Sequence, residues 1–320
     1  MPKLDSEFRP AWWLRQAHAQ TLWPSIVRRR PQLAIEPERV ELPDGDFIDL
    51  AWSYPQSGRN APIVMVLHGL EGSIRSHYVR GIMQQLNRVG FRACLMHFRG
   101  CSGQPNRLPI AYHSGKTDDP ALILDYLSDN HGEVFGAVGV SLGGNVLLKW
   151  LGEQGERCRL RRAAAMSVPF RLNDAALRLR KGLSRIYERY LVGSLQRSFK
   201  HKFAGIPCPI RVDIDRLDTF RKFDNAVTAP LHGFRDVDDY YTQASSRQYI
   251  PRIRIPTLIL HAADDPFMFP DTAPGAAELP EQVHLELTGQ GGHVGFVSGR
   301  WPWRARYWGE QRLAEWMAGG

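Results

Sequence analysis

The 320-residue sequence predicts an α/β protein with a mostly parallel central sheet flanked by helices. Three observations lead there. Short continuous apolar runs, such as IVMVL at 63–67 and VFGAVGV at 134–140, suit strands buried on both faces. Segments with helical spacing separate these runs, the pattern of a parallel sheet built from crossover units. One stretch, from 170 to about 235, interrupts the alternation and reads as a helical insertion.

The elements follow in order. Residues 38–54 alternate apolar and polar side chains around Asp44-Gly45, a hairpin signal. After the 63–67 strand, Val79, Ile82, Met83 and Leu86 recur at helical spacing, and 91–98 forms the next apolar run. Asp119 and Pro120 read as an N-cap and a first-turn proline opening a helix through Leu127. The 134–140 strand runs directly into SLGGNVLLKWL, a helix with apolar residues at 146, 147, 150 and 151. Three more strands are predicted at 163–168, 256–261 and 283–287, then an amphipathic helix at 302–317.

This organisation is a single domain, with a core of about 36–169 and 236–320 and an N-terminal extension, 1–35, packed on it. The insertion at about 170–235 is too long for a bare loop and is read as a helical lid. Within it, 174–192 predicts one helix with Leu183, Ile186, Tyr187, Tyr190 and Leu191 on one face. Arg178, Lys181, Arg185 and Arg189 lie largely elsewhere on that helix. The plainer alternative is a covering helix whose apolar stripe packs on the core.

Composition narrows the function classes. Hydrophobic residues make up 43 % and charged residues 23 %, which excludes a disordered or fibrous chain. Cys94, Cys101, Cys158 and Cys208 form no CxxC pair, so neither a disulfide framework nor a zinc ribbon is expected. No signal-like core opens the sequence and no run approaches the ~18 apolar residues of a membrane span, so the expected location is cytoplasmic.

The net charge of +8 is concentrated: residues 152–202 hold thirteen basic and four acidic side chains. Such a patch faces nucleic acid, anionic lipid or an anionic substrate, or is simply a solvated face. No nucleic-acid-binding motif accompanies it, whereas transient contact of the lid with an anionic membrane stays open. HExxH, GxGxxG and GxxxxGK[ST] are all missing, so no metal, dinucleotide or other cofactor is expected. Asp213, Asp215 and Asp218 imitate a calcium loop but lack its glycine and its closing glutamate.

The chemistry centres on Gly139-Val140-Ser141-Leu142-Gly143, a G-x-S-x-G turn between a buried strand and a helix. Glycines two residues either side let strand and helix approach, which projects the serine hydroxyl above the sheet edge as a candidate nucleophile. His293, in the glycine-rich loop after the last strand, is the candidate base. Asp264 and Asp265 follow the 256–261 strand, and either could orient the histidine; Asp265 is preferred because it stands directly before Pro266. The order Ser, Asp, His is that of α/β-hydrolases. Backbone N–H groups of Leu70, in the turn after the 63–67 strand, and of Leu142 are the candidate oxyanion donors. His68 reads as a loop-orienting side chain, and Cys101 as an inert buried thiol.

Longer words extend the match. HAQTLWP at 18–24, HGLEGS at 68–73, FRGCSGQPNRLP at 98–109 and YHSGKTDD at 112–119 join GVSLGGN at 139–145. FDNAVTAPLHGF at 223–234, HAADDPF at 261–267 and GGHVGF at 291–296 follow. With these, the sequence resembles the YheT-like branch of the α/β-hydrolase superfamily, related to plant embryogenesis-associated and eukaryotic abhydrolase-domain proteins. The resemblance implies an α/β-hydrolase fold and Ser141, Asp265 and His293 as nucleophile, acid and base. It also implies a serine carboxylester hydrolase acting on short- to medium-chain acyl or lipid-derived esters. A thioesterase or acyl transferase would use the same triad, and a protein binding nucleic acid or anionic lipid through the basic lid is the alternative from another class.

Overall fold

In the computed structural model, which describes residues 3–319, the apolar runs form one nine-stranded sheet. Its strands are β1 (Lys3–Leu4), β2 (Glu36–Glu41), β3 (Phe47–Ser53), β4 (Ile63–Leu67), β5 (Arg92–Met96), β6 (Val134–Val140), β7 (Arg162–Met166), β8 (Thr257–Ala262) and β9 (Val283–Thr288). Their order is β1-β9-β8-β7-β6-β4-β5-β3-β2. Pairing is parallel from β1 through β5, and β3 then pairs antiparallel with both β5 and β2. The predicted hairpin is the β2–β3 pair, turning at Asp44-Gly45.

Burial on both faces follows from helices on both sides. The helices of the core are α1 (Ala17–Ile26), α2 (Val79–Arg88), α3 (Asp118–His131) and α4 (Leu142–Gln154). Ile123, Leu127, Val146 and Leu147, from α3 and α4, pack on Met65, Cys94 and Ile259. On the other face Ile82 and Leu86 of α2 meet Val64, Val66, Leu313 and Met317.

Between β7 and β8 the chain forms α5 (Leu172–Leu179), α6 (Ser184–Phe203), α7 (Phe220–Phe223), α8 (Ala229–Leu231) and α9 (Val237–Ala244). The single helix expected over 174–192 is therefore two. The break falls at Gly182, which takes φ +54°, a left-handed conformation that ends a helix at little cost only for glycine. Helical packing also continues past 235, because Val237, Tyr240 and Ala244 of α9 pack on Leu172 and Ala176 of α5.

Two further boundaries differ from expectation. Thr117 occupies the N-cap position of α3, and Asp119 lies inside its first turn, buried and ion-paired to Arg99 rather than capping. Residues 302–304 form a separate 3₁₀ turn, and the last helix, α10 (Trp308–Ala318), starts only at Trp308.

The N-terminal extension is tied down just past the end of its helix. Arg28, just beyond α1, forms a two-point ion pair with Glu310 of α10, with Nη2 2.8 Å from Oε2. Burial pushes the Glu310 carboxyl up to about 7, against the pull of the Arg28 guanidinium.

A second buried charge cluster holds the β5–α3 connection. Arg99, 2 % exposed, grips Asp119 through Nε and Nη2 at 2.9 and 2.7 Å and reaches Asp46 at 2.9 Å. Replacing Arg99 by Met strands two buried carboxylates, so Arg99→Met is expected to cost about 3–5 kcal/mol. A shift of the urea midpoint to lower concentration measures it, and an unchanged midpoint would show that the cluster contributes nothing.

Candidate active site

The β6–α4 turn places Ser141 where the sequence pattern requires a sharp corner. Ser141 takes φ +52° and ψ −118°, a strained conformation for a residue with a side chain. Its N–H donates to Met166 O at 2.8 Å. The flanking glycines are needed for space: a Cβ on Gly139 would stand 2.5 Å from Gly143 O, and one on Gly143 would stand 2.5 Å from both Leu67 O and His68 O.

His293 arrives from the loop after β9. Its Nε2 lies 3.0 Å from Ser141 Oγ and its Nδ1 lies 2.8 Å from Asp265 Oδ2. The ring stacks face to face on Phe267, with centroids 3.9 Å apart and an interplanar angle of 4°. Asp265 is buried, and its second oxygen accepts the Phe267 N–H at 2.8 Å. Asp264 points elsewhere: its Oδ1 accepts the Gly292 N–H at 2.9 Å and closes the histidine loop. Burial raises the Asp264 carboxyl above the usual range, and the charge on Asp265 adds to the shift.

The histidine loop is seated on α1, a contact the sequence reading did not foresee. Thr21 Oγ1 accepts the His293 N–H at 2.9 Å and donates to Ala17 O at 2.8 Å. Gln20, fully buried, brackets Val297, accepting its N–H at 2.6 Å and donating to its carbonyl at 3.0 Å. Gly295 lets the loop approach this closely, since a Cβ there would stand 2.5 Å from Gln20 O. On the other flank Ser167 Oγ accepts the Val294 N–H at 3.0 Å. The available signal was the paired polar residues inside HAQTLWP, which an otherwise apolar docking helix would not need.

The turn after β4 is held by three side chains. His68 is fully buried, and burial pushes it down to about 3, so it is neutral. Its Nε2 accepts the Phe98 N–H at 3.1 Å, which leaves Nδ1–H to donate to Gly69 O at 2.7 Å. Tyr78 Oη takes the Gly69 N–H and Tyr112 Oη takes the Glu71 N–H, each at 2.7 Å. Between them the Leu70 N–H has no acceptor among the described residues, nor does the Leu142 N–H at the start of α4.

Ser141, His293 and Leu70 line one large cleft of about 1260 Å³. Its walls come from α1, the β4 turn, the 98–117 connection and the helices between β7 and β8. Cys101 also lines it, with burial holding its thiol well above the ordinary range and therefore protonated. Among the described residues no three His, Cys, Asp or Glu side chains are grouped to hold a metal.

A parallel sheet flanked by helices, with an acid–histidine–serine chain at the carboxyl ends of its strands, defines an α/β hydrolase of the esterase and lipase type. Residues 62–299 match the family described as the alpha/beta hydrolase fold, and the chain belongs to it. It is 40 % identical over 318 residues to YheT of Escherichia coli (strain K12), covering 98 % of this chain and 93 % of that one. It is 30 % identical to the phospholipase ABHD3 of Mus musculus, covering 96 % and 77 % respectively. Among solved structures, the esterase domain of a Rhodothermus marinus protein superposes with a TM-score of 0.53 at 14 % identity, covering 89 % and 96 %.

One cleft residue carries a pH signature. Asp224 is buried, accepts hydrogen bonds from Thr228 and Tyr241 at 2.6 and 2.7 Å, and is pushed up to about 6 by burial. Between about pH 4 and 6 the folded protein then holds a proton that the unfolded chain has released. This group therefore makes stability fall as pH rises through that window and level off above it, by on the order of 3 kcal/mol. Asp224→Asn should remove that slope in urea midpoints measured from pH 4 to 7; parallel curves for variant and wild type would contradict the assignment.

Proposed function

We propose that this protein is a serine carboxylester hydrolase in which Ser141, His293 and Asp265 act as nucleophile, base and orienting acid. The observation that carries this reading is the unbroken chain from Ser141 Oγ through both His293 nitrogens to Asp265, facing two unoccupied backbone amides. His293 Nε2 takes the Ser141 proton as Oγ attacks the acyl carbonyl. Asp265, accepting from Nδ1–H, holds the ring in that tautomer and stabilises the imidazolium. The amides of Leu70 and Leu142 receive the oxyanion. His293 then protonates the leaving alcohol, and water releases the acyl group by the same route.

The substrate class we infer is short- to medium-chain or lipid-derived esters. A cleft of about 1260 Å³ exceeds the usual small-ligand pocket and leaves room for an alkyl chain. The names of the relatives point the same way: besides the phospholipase, a Saccharomyces cerevisiae monoacylglycerol lipase is 31 % identical over 249 residues, 75 % of this chain and 56 % of its own.

The helices between β7 and β8 act in this reading as a lid that meets an anionic bilayer. Leu183, Ile186 and Tyr190 of the 183–190 stretch are 63, 66 and 70 % exposed and face the cleft instead of packing on the core. Beside them Leu22, Ile26 and Val27 of the α1 segment are exposed too, and His18 bonds Tyr187 at 3.0 Å to join the two helices. Arg29, Arg30, Arg185 and Arg189 are exposed and have no carboxylate partner among the described residues. Arg178 and Lys181 are less available, the first bonded to Ser184 and the second lying over Phe269. No helix among the described residues is long and apolar enough to cross a membrane, so the contact would be superficial.

Ser141→Ala should lose on the order of 10⁴- to 10⁶-fold in turnover of p-nitrophenyl butyrate. It should also escape fluorophosphonate labelling, and full labelling of the variant would rule the nucleophile out. Asp265→Asn is expected to lose about 10⁴-fold. Asp264→Asn should lose far less, because an amide oxygen still accepts the Gly292 N–H; the reverse ranking would transfer the acid role. For the membrane contact, co-sedimentation should occur with anionic but not zwitterionic vesicles and weaken with salt. Each arginine near the surface is worth about 1 kcal/mol, so changing Arg29, Arg30, Arg185 and Arg189 together to Gln should release the protein. Equal sedimentation of that variant would end the idea.

A further inference from the structure

The cleft has a second polar end that the proposed hydrolytic residues do not use. Lys202, near the end of α6, is 8 % exposed yet has no carboxylate on its ammonium. It donates to Asn106 Oδ1 and to Ile110 O, two neutral acceptors, and lies over the Phe203 ring, which leaves one of its three N–H donors without a hydrogen-bond acceptor among the described residues. His113 and His232 stand close by, with ring centroids 4.5 Å apart. His113 Nδ1 accepts the Gly115 N–H at 3.1 Å, so its proton is on Nε2, and that N–H has no protein acceptor. Neither ring nitrogen of His232 has a hydrogen-bond partner among the described residues. Lys202, His113 and His232 all line the cleft.

The carboxylates nearby are already committed. Asp46 and Asp119 are held by Arg99, and Asp118 by Lys116 at 2.7 Å. What remains is an ammonium and imidazole N–H groups lining one cleft, with no carboxylate in direct contact with them among the described residues. Burial lowers the Lys202 ammonium to about 8, with Asp46 opposing, so it stays largely cationic at neutral pH. The same cleft has an apolar stretch toward the start of α6, lined by Leu179, Leu183, Ile186 and Tyr190. A buried charge without a counter-ion is costly, and an incoming anion removes that cost.

We propose that Lys202, His113 and His232 form a subsite for an anionic group, phosphate or carboxylate, borne by a substrate whose alkyl chain lies along the apolar stretch. This deepens the ester-hydrolase reading and rests on it for the chemistry at Ser141, but not for the binding of the anion. The preferred substrate is then an amphiphilic ester with a fixed negative charge, and neutral esters of equal length fill only half the cleft.

Binding to the Ser141→Ala protein tests the subsite independently of turnover. Calorimetry with hexyl phosphate, hexanoate and hexan-1-ol compares two anions with a neutral chain, and inorganic phosphate alone separates the head group from the tail. At least one of the two anionic amphiphiles should bind about tenfold or more tighter than hexan-1-ol, and the stronger of the two identifies the group. Inorganic phosphate should bind more weakly than hexyl phosphate if phosphate is the group. Lys202→Met and, separately, His232→Leu should collapse the anion-to-alcohol ratio, while Lys202→Arg should keep most of it. Taking the ratio within each variant removes any general loss of binding, and His232→Leu answers the question if Lys202→Met does not fold. A ratio near one in the Ser141→Ala protein, or one that survives both substitutions, overturns the subsite. Failure of the hydrolase reading would instead leave these ratios intact while p-nitrophenyl butyrate goes unhydrolysed by the wild type.

Discussion

Everything in the cleft depends on how closely three backbone segments approach at Gly139 and Gly143. With no side chain at either position, the end of β6, the start of α4 and the carbonyls of Leu67 and His68 come into direct contact. That contact sets Ser141 in its strained corner and, in the same step, fixes the distance from the hydroxyl to the turn carrying the Leu70 amide. A single methyl group at Gly143 would stand 2.5 Å from the carbonyl oxygens of Leu67 and His68, closer than real contacts allow, and would force the two apart. The strain at Ser141 is sustained by the surrounding ladder, for its own N–H is bound to β7.

The same economy appears in the neutral histidines. His68 and His97 both serve as brackets between loops, each accepting a backbone N–H at Nε2 and donating from Nδ1 to a carbonyl. Burial pushes both below the ordinary imidazole range, and the proposed proton-transfer role falls instead on His293, which reaches a carboxylate and a hydroxyl together. Neighbouring acids are separated in a similar manner: Asp265 faces the imidazole, and Asp264 turns back to close the loop that carries it.

Much of the sheet was legible because a strand buried on both faces must be apolar along its whole length, and 63–67 and 134–140 are apolar runs too short for a buried helix. The placement of Ser141 and His293 was legible for a related reason, since glycines around a polar residue mark backbone that must bend tightly. What escaped was set by contacts distant in sequence. The role of Gln20 and Thr21 depends on a loop more than 270 residues away, and the polar pair inside HAQTLWP hints at a partner without saying which one. Asp119 looked like a cap because its partner, Arg99, sits 20 residues earlier in an unrelated segment. The break at Gly182 was missed because the apolar spacing runs straight across it, while the backbone does not.

The bond between α1 and the histidine loop has a bearing on how the chain comes into being. Translation delivers α1 and the serine corner well before the loop, so a growing polypeptide has the seat of the imidazole before it has the imidazole. Among the described residues β1 pairs only with β9, so that edge of the sheet cannot form before the segment that leads into the His293 loop has been made. For a protein proposed to cut lipid esters, this sets an order in synthesis: a chain that has not yet reached β9 carries the proposed nucleophile without its proposed base.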